Sequence, residues 1–287
     1  MAYAGTPRPL TPSPSTLSPS LPATAQTLRL QRLAGLIYGL TSVAVMAVIW
    51  PLFGVFLSNA PRLSAPWLAR SADVGLGAEN VFVAGAVNVV LIAAFGLQHS
   101  LMARPAFKRR WRVLLVPALE RATYVHAANV VLLALIVLWQ PIPLEVWRVD
   151  QPFLRHACWA VFALGWLILL AGALSFGMAE LLGVRQVLDW FCEREPVPLR
   201  LKTRGLYHWL RHPMYVGVLM ALWATPYMTA GHALLAAGLT IYVLIAKGYE
   251  ERDLNHTYGR AYRTWRRARS TPSTGWGRDG VPRRRDP

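Results

Sequence analysis

Between residues 204 and 217 the chain reads Arg204-Gly205-Leu206-Tyr207-His208-Trp209-Leu210-Arg211-His212-Pro213-Met214-Tyr215-Val216-Gly217, ionisable and aromatic groups set between apolar segments. A second polar group, Glu250-Glu251-Arg252-Asp253, ends the apolar hairpin that follows. Pro213 keeps His212 out of the α region and suits the first turn of a following helix. His212 is therefore expected at a helix entrance, where unpaired N–H groups favour anionic ligand groups. Arg211 adds a fixed positive charge, and Gly217 lets another backbone or a ligand come close. Tyr207 and Tyr215 offer aromatic faces with polar tips. Glu250 and Glu251 are able to attract a cation. Such a set can hold a carboxylate, an ammonium or sulfonium, and a planar ring. Singly, each residue has a plainer use: Arg211 as an interfacial anchor, Tyr215 in an aromatic belt, Glu250 and Glu251 paired with Arg252 or Arg260. His208 and His212, four apart, could suggest a metal pair. Pro213 argues against a regular helix through His212, and no third ligand is obvious, so no metal is expected.

The elements that must position these groups are membrane helices. Of 287 residues, 54% are hydrophobic and 15% charged, where soluble domains carry roughly 25% charged residues. Uncharged apolar runs near 20 residues read as bilayer spans. They fall at 33–57, 81–101, 122–139 and 157–176, followed by a short pair at 213–228 and 233–249 joined by Thr229-Ala230-Gly231-His232. The expected fold is all-α, a polytopic membrane bundle of five or six transmembrane helices. Ionisable residues kept at membrane level are functional-site candidates by default.

The net charge of +16 is uneven. Arg104, Lys108, Arg109, Arg110 and Arg112 crowd the loop after the second span, and nine arginines lie from Arg260 onward. The 58–80 and 140–156 loops are nearly balanced. The positive-inside rule therefore puts both termini, the 102–121 loop and the 177–212 loop in the cytoplasm, with the site. Topology accounts for the arginines that would otherwise suggest nucleic acid, so no nucleic-acid partner is expected. Cys158 and Cys192 have neither metal spacing nor a disulfide framework.

Residues 1–28 hold six prolines among Ser, Thr and Ala, a composition that predicts disorder. A loose basic tail is expected over 269–287, leaving one membrane domain at 29–268. Within it, 177–212 is too apolar for disorder and is expected to fold over the cytoplasmic mouth. A ligand with a carboxylate, an ammonium, a sulfonium and a planar ring is S-adenosyl-L-methionine, the expected co-substrate.

Taken together, Gly205-x-Tyr207-x-x-x-Arg211-His212-Pro213-x-Tyr215-x-Gly217, then Glu250-Glu251-x-x-Leu254 with Tyr258 and Tyr262, resembles the cofactor signature of integral-membrane methyltransferases. Isoprenylcysteine carboxyl methyltransferases and phospholipid methyltransferases share it. Leu97-Gln98-His99-Ser100-Leu101-Met102-Ala103-Arg104-Pro105, Glu120-Arg121-Ala122-Thr123-Tyr124, Gly183-Val184-Arg185-Gln186 and Trp223-Ala224-Thr225-Pro226-Tyr227-Met228 are similar to the nurim-type branch. Met178-Ala179-Glu180 stands where the family often has His-Phe-Asp, and the basic tail replaces its usual Val-Pro ending. The resemblance implies Tyr207, Arg211, His212, Pro213, Tyr215, Gly217, Glu250 and Glu251 as cofactor-binding residues. It also implies an integral protein of a bacterial inner membrane, solvated by membrane lipids, and a small-molecule thiol as methyl acceptor. A lipid or prenylated acceptor, or a non-enzymatic membrane protein of the same fold, are the alternatives.

Thiol methylation needs a base or a positive neighbour at the acceptor. His99 is the candidate catalytic residue, at the expected depth beside Gln98 and Ser100. Arg104 and Glu120 could orient it or close the pocket.

Overall fold

Backbone polar groups inside a bilayer must pair within the segment that carries them, so long apolar runs fold as helices. The computed structural model describes residues 25–59, 70–75, 77, 79–195 and 201–270. The chain forms α1 (Ala25–Ser58), α2 (Val81–Ala103), α3 (Pro105–Trp111), α4 (Glu120–Leu138) and α5 (Pro152–Phe176). It continues through α6 (Met178–Leu181), α7 (Val184–Phe191), α8 (Pro213–Trp223) and α9 (Ala230–Ser270). Among the described residues five helices, α1, α2, α4, α5 and α9, are long and apolar enough to cross a membrane. Phe82, Val90, Val130 and Leu167 stand exposed on their outer faces, as lipid-facing side chains do. Asn80 caps α2 by accepting from the Phe82 and Val83 N–H groups, and Gln151 caps α5 through Leu154 N–H.

The expected fifth span, 213–228, is shorter than the sequence suggests. Pro226 disfavours the α region at Thr225 and brings no N–H to extend the ladder, so α8 stops at Trp223. Eleven residues reach about 16 Å, well short of an apolar core of about 30 Å. Beyond the stop the chain is extended: β2 (Tyr227–Thr229) pairs antiparallel with β1 (Glu145–Arg148). This short ribbon, whose β1 strand lies within the expected 140–156 loop, leaves the all-α membrane bundle as expected. It opposes Glu145 to Thr229 and Arg148 to Tyr227, with an irregularity between Glu145 and Trp147. Trp147 donates to the Thr225 carbonyl at 3.0 Å, anchoring the ribbon.

Among the described residues the bundle thus consists of five long helices and the shorter α8 with its extended tail. α8 is sheltered by α5. A Cβ at Gly217 would lie 2.5 Å from the Gly165 carbonyl oxygen and 2.6 Å from the Leu169 nitrogen, a backbone-to-backbone approach only small residues allow. Of the two uses expected for Gly217, the approach of a neighbouring backbone is the one seen here.

The described parts of the 177–212 excursion, 177–195 and 201–212, carry helical turns. Val187 of α7 is buried beneath α1 at Gly39, and a 3-10 turn (Gly205–His208) leads into α8. α9 breaks at Gly259 (φ 51°, ψ −117°), which redirects its last turns. The N-terminal disorder expectation is met by helix from Ala25 onward, and α9 runs through Ser270. Residues 1–24 and 271–287, the rest of both expected tails, lie outside the described residues. Ile49, Phe53, Phe56, Leu135, Trp139 and Leu235 pack at the end opposite His212.

Candidate active site

His212 caps the entrance of α8, with Pro213 buried at the first helical position. Its ring stacks on Tyr215, centroids 5.4 Å apart and planes 17° from parallel. Two carboxylates from α9 bracket the ring: Glu251 Oε1 is 3.2 Å from Nε2 and Glu250 Oε2 is 3.5 Å from Nδ1. Arg211 Nη1 lies 3.8 Å from Glu251, and Arg266 Nη1, carried back by the Gly259 break, lies 4.0 Å from its other oxygen. The Tyr215 hydroxyl is hydrogen-bonded to Glu250. The structure therefore brings together Arg211, His212, Tyr215, Glu250 and Glu251, as their spacing implied.

Tyr207 is buried beside Phe176, rings 6.3 Å apart. Burial, with Glu250 adding to it, pushes its phenol up to about 12, so it stays a neutral hydrogen-bonding group. Tyr262 is wholly buried on the far side, and its hydroxyl has no hydrogen-bond partner. An unpaired buried hydroxyl in a cradle of mixed charge and aromatic faces fits a ligand rich in polar atoms. The donor set suits S-adenosyl-L-methionine: Arg211 for its carboxylate, Glu250 for its ammonium, tyrosine faces for its ring.

One helix across, His99 of α2 is walled by Phe95 (5.5 Å between centroids), Tyr124 (4.9 Å) and Tyr242 (6.0 Å). Its Nδ1 is buried without a hydrogen-bond partner. Ser100, next in the chain, shares a hydrogen bond with Tyr242. Tyr242 of the His99 box and Glu250 of the His212 cradle both lie on α9, about two turns apart.

Arg104 and Glu120 are not at His99. The Arg104 guanidinium sits 3.9 Å over the Tyr249 ring and 3.9 Å from Asp253, tying the end of α2 to α9. Glu120 is held by Lys108 at 3.2 Å and Arg112 at 3.3 Å, which clamps α3 to α4. The cation whose field reaches His99 is Arg121. Its guanidinium lies 5.0 Å over Tyr124, and its Nε donates to the Leu181 carbonyl. Sequence reasoning also missed Phe95, Tyr242 and Arg266; in an apolar span an aromatic residue carries no distinguishing signal. Glu180, in the departure from the family pattern, accepts from Lys202 at 2.6 Å and pairs with Arg185. Those cations hold its carboxyl below the usual range.

The chain is a helical membrane methyltransferase by its relatives, and residues 159–261 match the family model for phospholipid methyltransferase. The chain belongs, more narrowly, to the family of the methanethiol S-methyltransferases and nurim. The methanethiol S-methyltransferase of Mycobacterium tuberculosis is 40% identical over 83% of this chain and 95% of its own length. That of Pseudomonas deceptionensis is 40% identical over 83% and 88%. The nurim homolog of Drosophila pseudoobscura pseudoobscura is 30% identical over 75% and 89%. No solved structure matches the chain.

Proposed function

We propose that this protein transfers the methyl group of S-adenosyl-L-methionine to a small thiol, methanethiol foremost, releasing dimethyl sulfide. The observation that carries this reading is the unpartnered, buried Nδ1 of His99 inside the box of Phe95, Tyr124 and Tyr242. A buried acceptor without a donor is costly unless a ligand completes it, and a thiol S–H is such a donor. Rings packed this closely favour an acceptor of few atoms over a prenyl or lipid chain. Both relatives quoted above at 40% identity carry the name methanethiol S-methyltransferase.

S-adenosyl-L-methionine supplies an electrophilic methyl group on a sulfonium. Arg211 and Glu250 hold and orient its charged end, and Tyr207 and Tyr215 offer faces to its ring. His99 Nδ1 takes the thiol proton as sulfur forms its bond to the methyl carbon and the carbon–sulfonium bond breaks. Arg121, beside Tyr124, adds the positive field that favours thiolate character. The aromatic walls exclude water and fix the approach, which supplies much of the acceleration in a direct displacement. His99 then returns its proton to solvent. The cations crowding the site end support a cytoplasmic orientation for that end and both termini, in a bacterial inner membrane.

Purified protein given methanethiol and S-adenosyl-L-methionine should release dimethyl sulfide into the headspace, with one S-adenosylhomocysteine formed per sulfide. A preparation that binds S-adenosyl-L-methionine in calorimetry yet releases no dimethyl sulfide would overturn the acceptor. One that does not bind it at all would overturn the co-substrate.

A further inference from the structure

A cavity of about 300 Å³ opens between α3 and α9, outside the cradle and the His99 box, lined by Lys108, Arg109, Arg112, Asp253, His256 and Thr257. Its charges are not self-cancelling. Asp253 faces Arg104, and Glu120 is shared between Lys108 and Arg112. Among the described residues Arg109 pairs with no carboxylate. Thr257 and His256 add polar groups on the α9 wall. Such a set recognises a phosphate oxygen.

The surroundings say what carries the phosphate. α3 follows directly from the end of a spanning helix, and its Phe107 and Trp111 stack with centroids 5.2 Å apart. Just beyond it Val113 and Leu114 are 85% and 81% exposed. Cations interleaved with aromatic and aliphatic side chains at the end of a span are the pattern of a segment lying in the bilayer interface. A free anion would find the cations but would leave Val113 and Leu114 in water; a phospholipid covers both.

We propose that this cavity binds the headgroup phosphate of an anionic phospholipid, with the acyl chains along Val113 and Leu114. The site is independent of the methyl-transfer reading. The bound headgroup bridges α3 to the turn of α9 that carries Asp253, one turn beyond Glu250.

The test uses the full-length protein in detergent micelles, titrated with short-chain phosphatidylglycerol, short-chain phosphatidylcholine or inorganic phosphate, and read by thermal unfolding. Phosphatidylglycerol raises Tm and the other two do not. In Arg109→Gln the apparent affinity for phosphatidylglycerol falls about fivefold, the worth of one interfacial cation. Arg110→Gln, the same charge change outside the cavity lining, titrates like the parent. Equal weakening in both variants would reduce the effect to general surface charge and overturn the site. Equal stabilisation by inorganic phosphate would overturn the lipid, and equal stabilisation by phosphatidylcholine would overturn the role of charge.

Discussion

Two histidine–carboxylate pairs stand at opposite ends of this bundle and use the same chemistry differently. At one end, the His212 side chain is 10% exposed, Glu251 23% and Glu250 43%, and their contacts run from 3.2 to 3.5 Å. Arg211 and Arg266 compete for the same Glu251 carboxylate at 3.8 and 4.0 Å. At the other end, His232 is fully buried and Asp73 2% exposed, with Nδ1 and Oδ2 3.7 Å apart. Asp73 also accepts from Asn59 Nδ2 and Thr229 Oγ1, and the neighbouring Ala72 carbonyl accepts from Trp139. The second cluster surrounds Asp73 with donors from the ends of α1 and α4 and from β2, while both ring nitrogens of His232 are buried without a hydrogen-bond partner. The first leaves one wet carboxylate and several long, exchangeable contacts. A ligand can replace interactions of that kind at little cost, whereas opening the second strips a buried carboxyl group of its donors. We read the first end as the binding end and the second as the one that holds the bundle closed.

That division breaks if activity and stability respond at the wrong ends. The largest effect is expected at His99, whose box depends on the binding end. His99→Ala should lower the rate of dimethyl sulfide release about 10²–10⁴-fold, the usual worth of a general base, with S-adenosyl-L-methionine affinity unchanged in calorimetry. Unaltered turnover would remove His99 from the mechanism. Next comes Asp73→Ala, which strands the donors of Asn59 and Thr229. It should cost about 3–5 kcal/mol of stability, read as a lowered Tm, with turnover per folded molecule preserved. Smaller again is His212→Ala. It should weaken S-adenosyl-L-methionine binding about 10–100-fold, as loss of a hydrogen bond involving a charged group does, with little change in Tm. If His212→Ala unfolds the protein while Asp73→Ala is silent in Tm, the assignment of the two ends is reversed.

The bundle was legible because its signal is local: an uncharged apolar run of bilayer length has one stable fold. The cradle was legible for the same reason, since Arg211, His212 and Tyr215 lie within five residues and Glu250 and Glu251 end the next span. The surroundings of His99 were not. Glu120 and Arg121 are adjacent in sequence but about 100° apart around α4, so one turns to α3 and the other to Tyr124. Only the packed helix reveals which of them serves the site. The Asp73–His232 pair joins two segments distant in the chain, neither carrying a motif. The early stop of α8 could have been read from Pro226, but the β1–β2 pairing it permits depends on a partner in another loop.

The smallest expected effect concerns acid, and it asks whether the excursion over the site belongs with the binding end or the holding end. Glu180, bound to Lys202 and Arg185, sits between α5 and α7 and fastens this segment. Those partners depress its folded pKa below the ordinary value of 4.5. A depressed carboxyl contributes stability that is fully present above its unfolded value and is lost as pH falls through the folded one. Tm measured from pH 7 downward should therefore hold until about pH 4.5 and then fall, with part of that fall belonging to Glu180. In Glu180→Gln the neutral amide cannot titrate, so Tm should start slightly lower at pH 7 and change less with acid. Turnover at pH 7 separates the two ends. If Glu180→Gln lowers turnover more than Tm, the excursion works with the cradle as part of the binding end. If Tm alone moves, the excursion is a fastening like Asp73. An acid profile identical to the parent's would show that Glu180 does not fasten it at all.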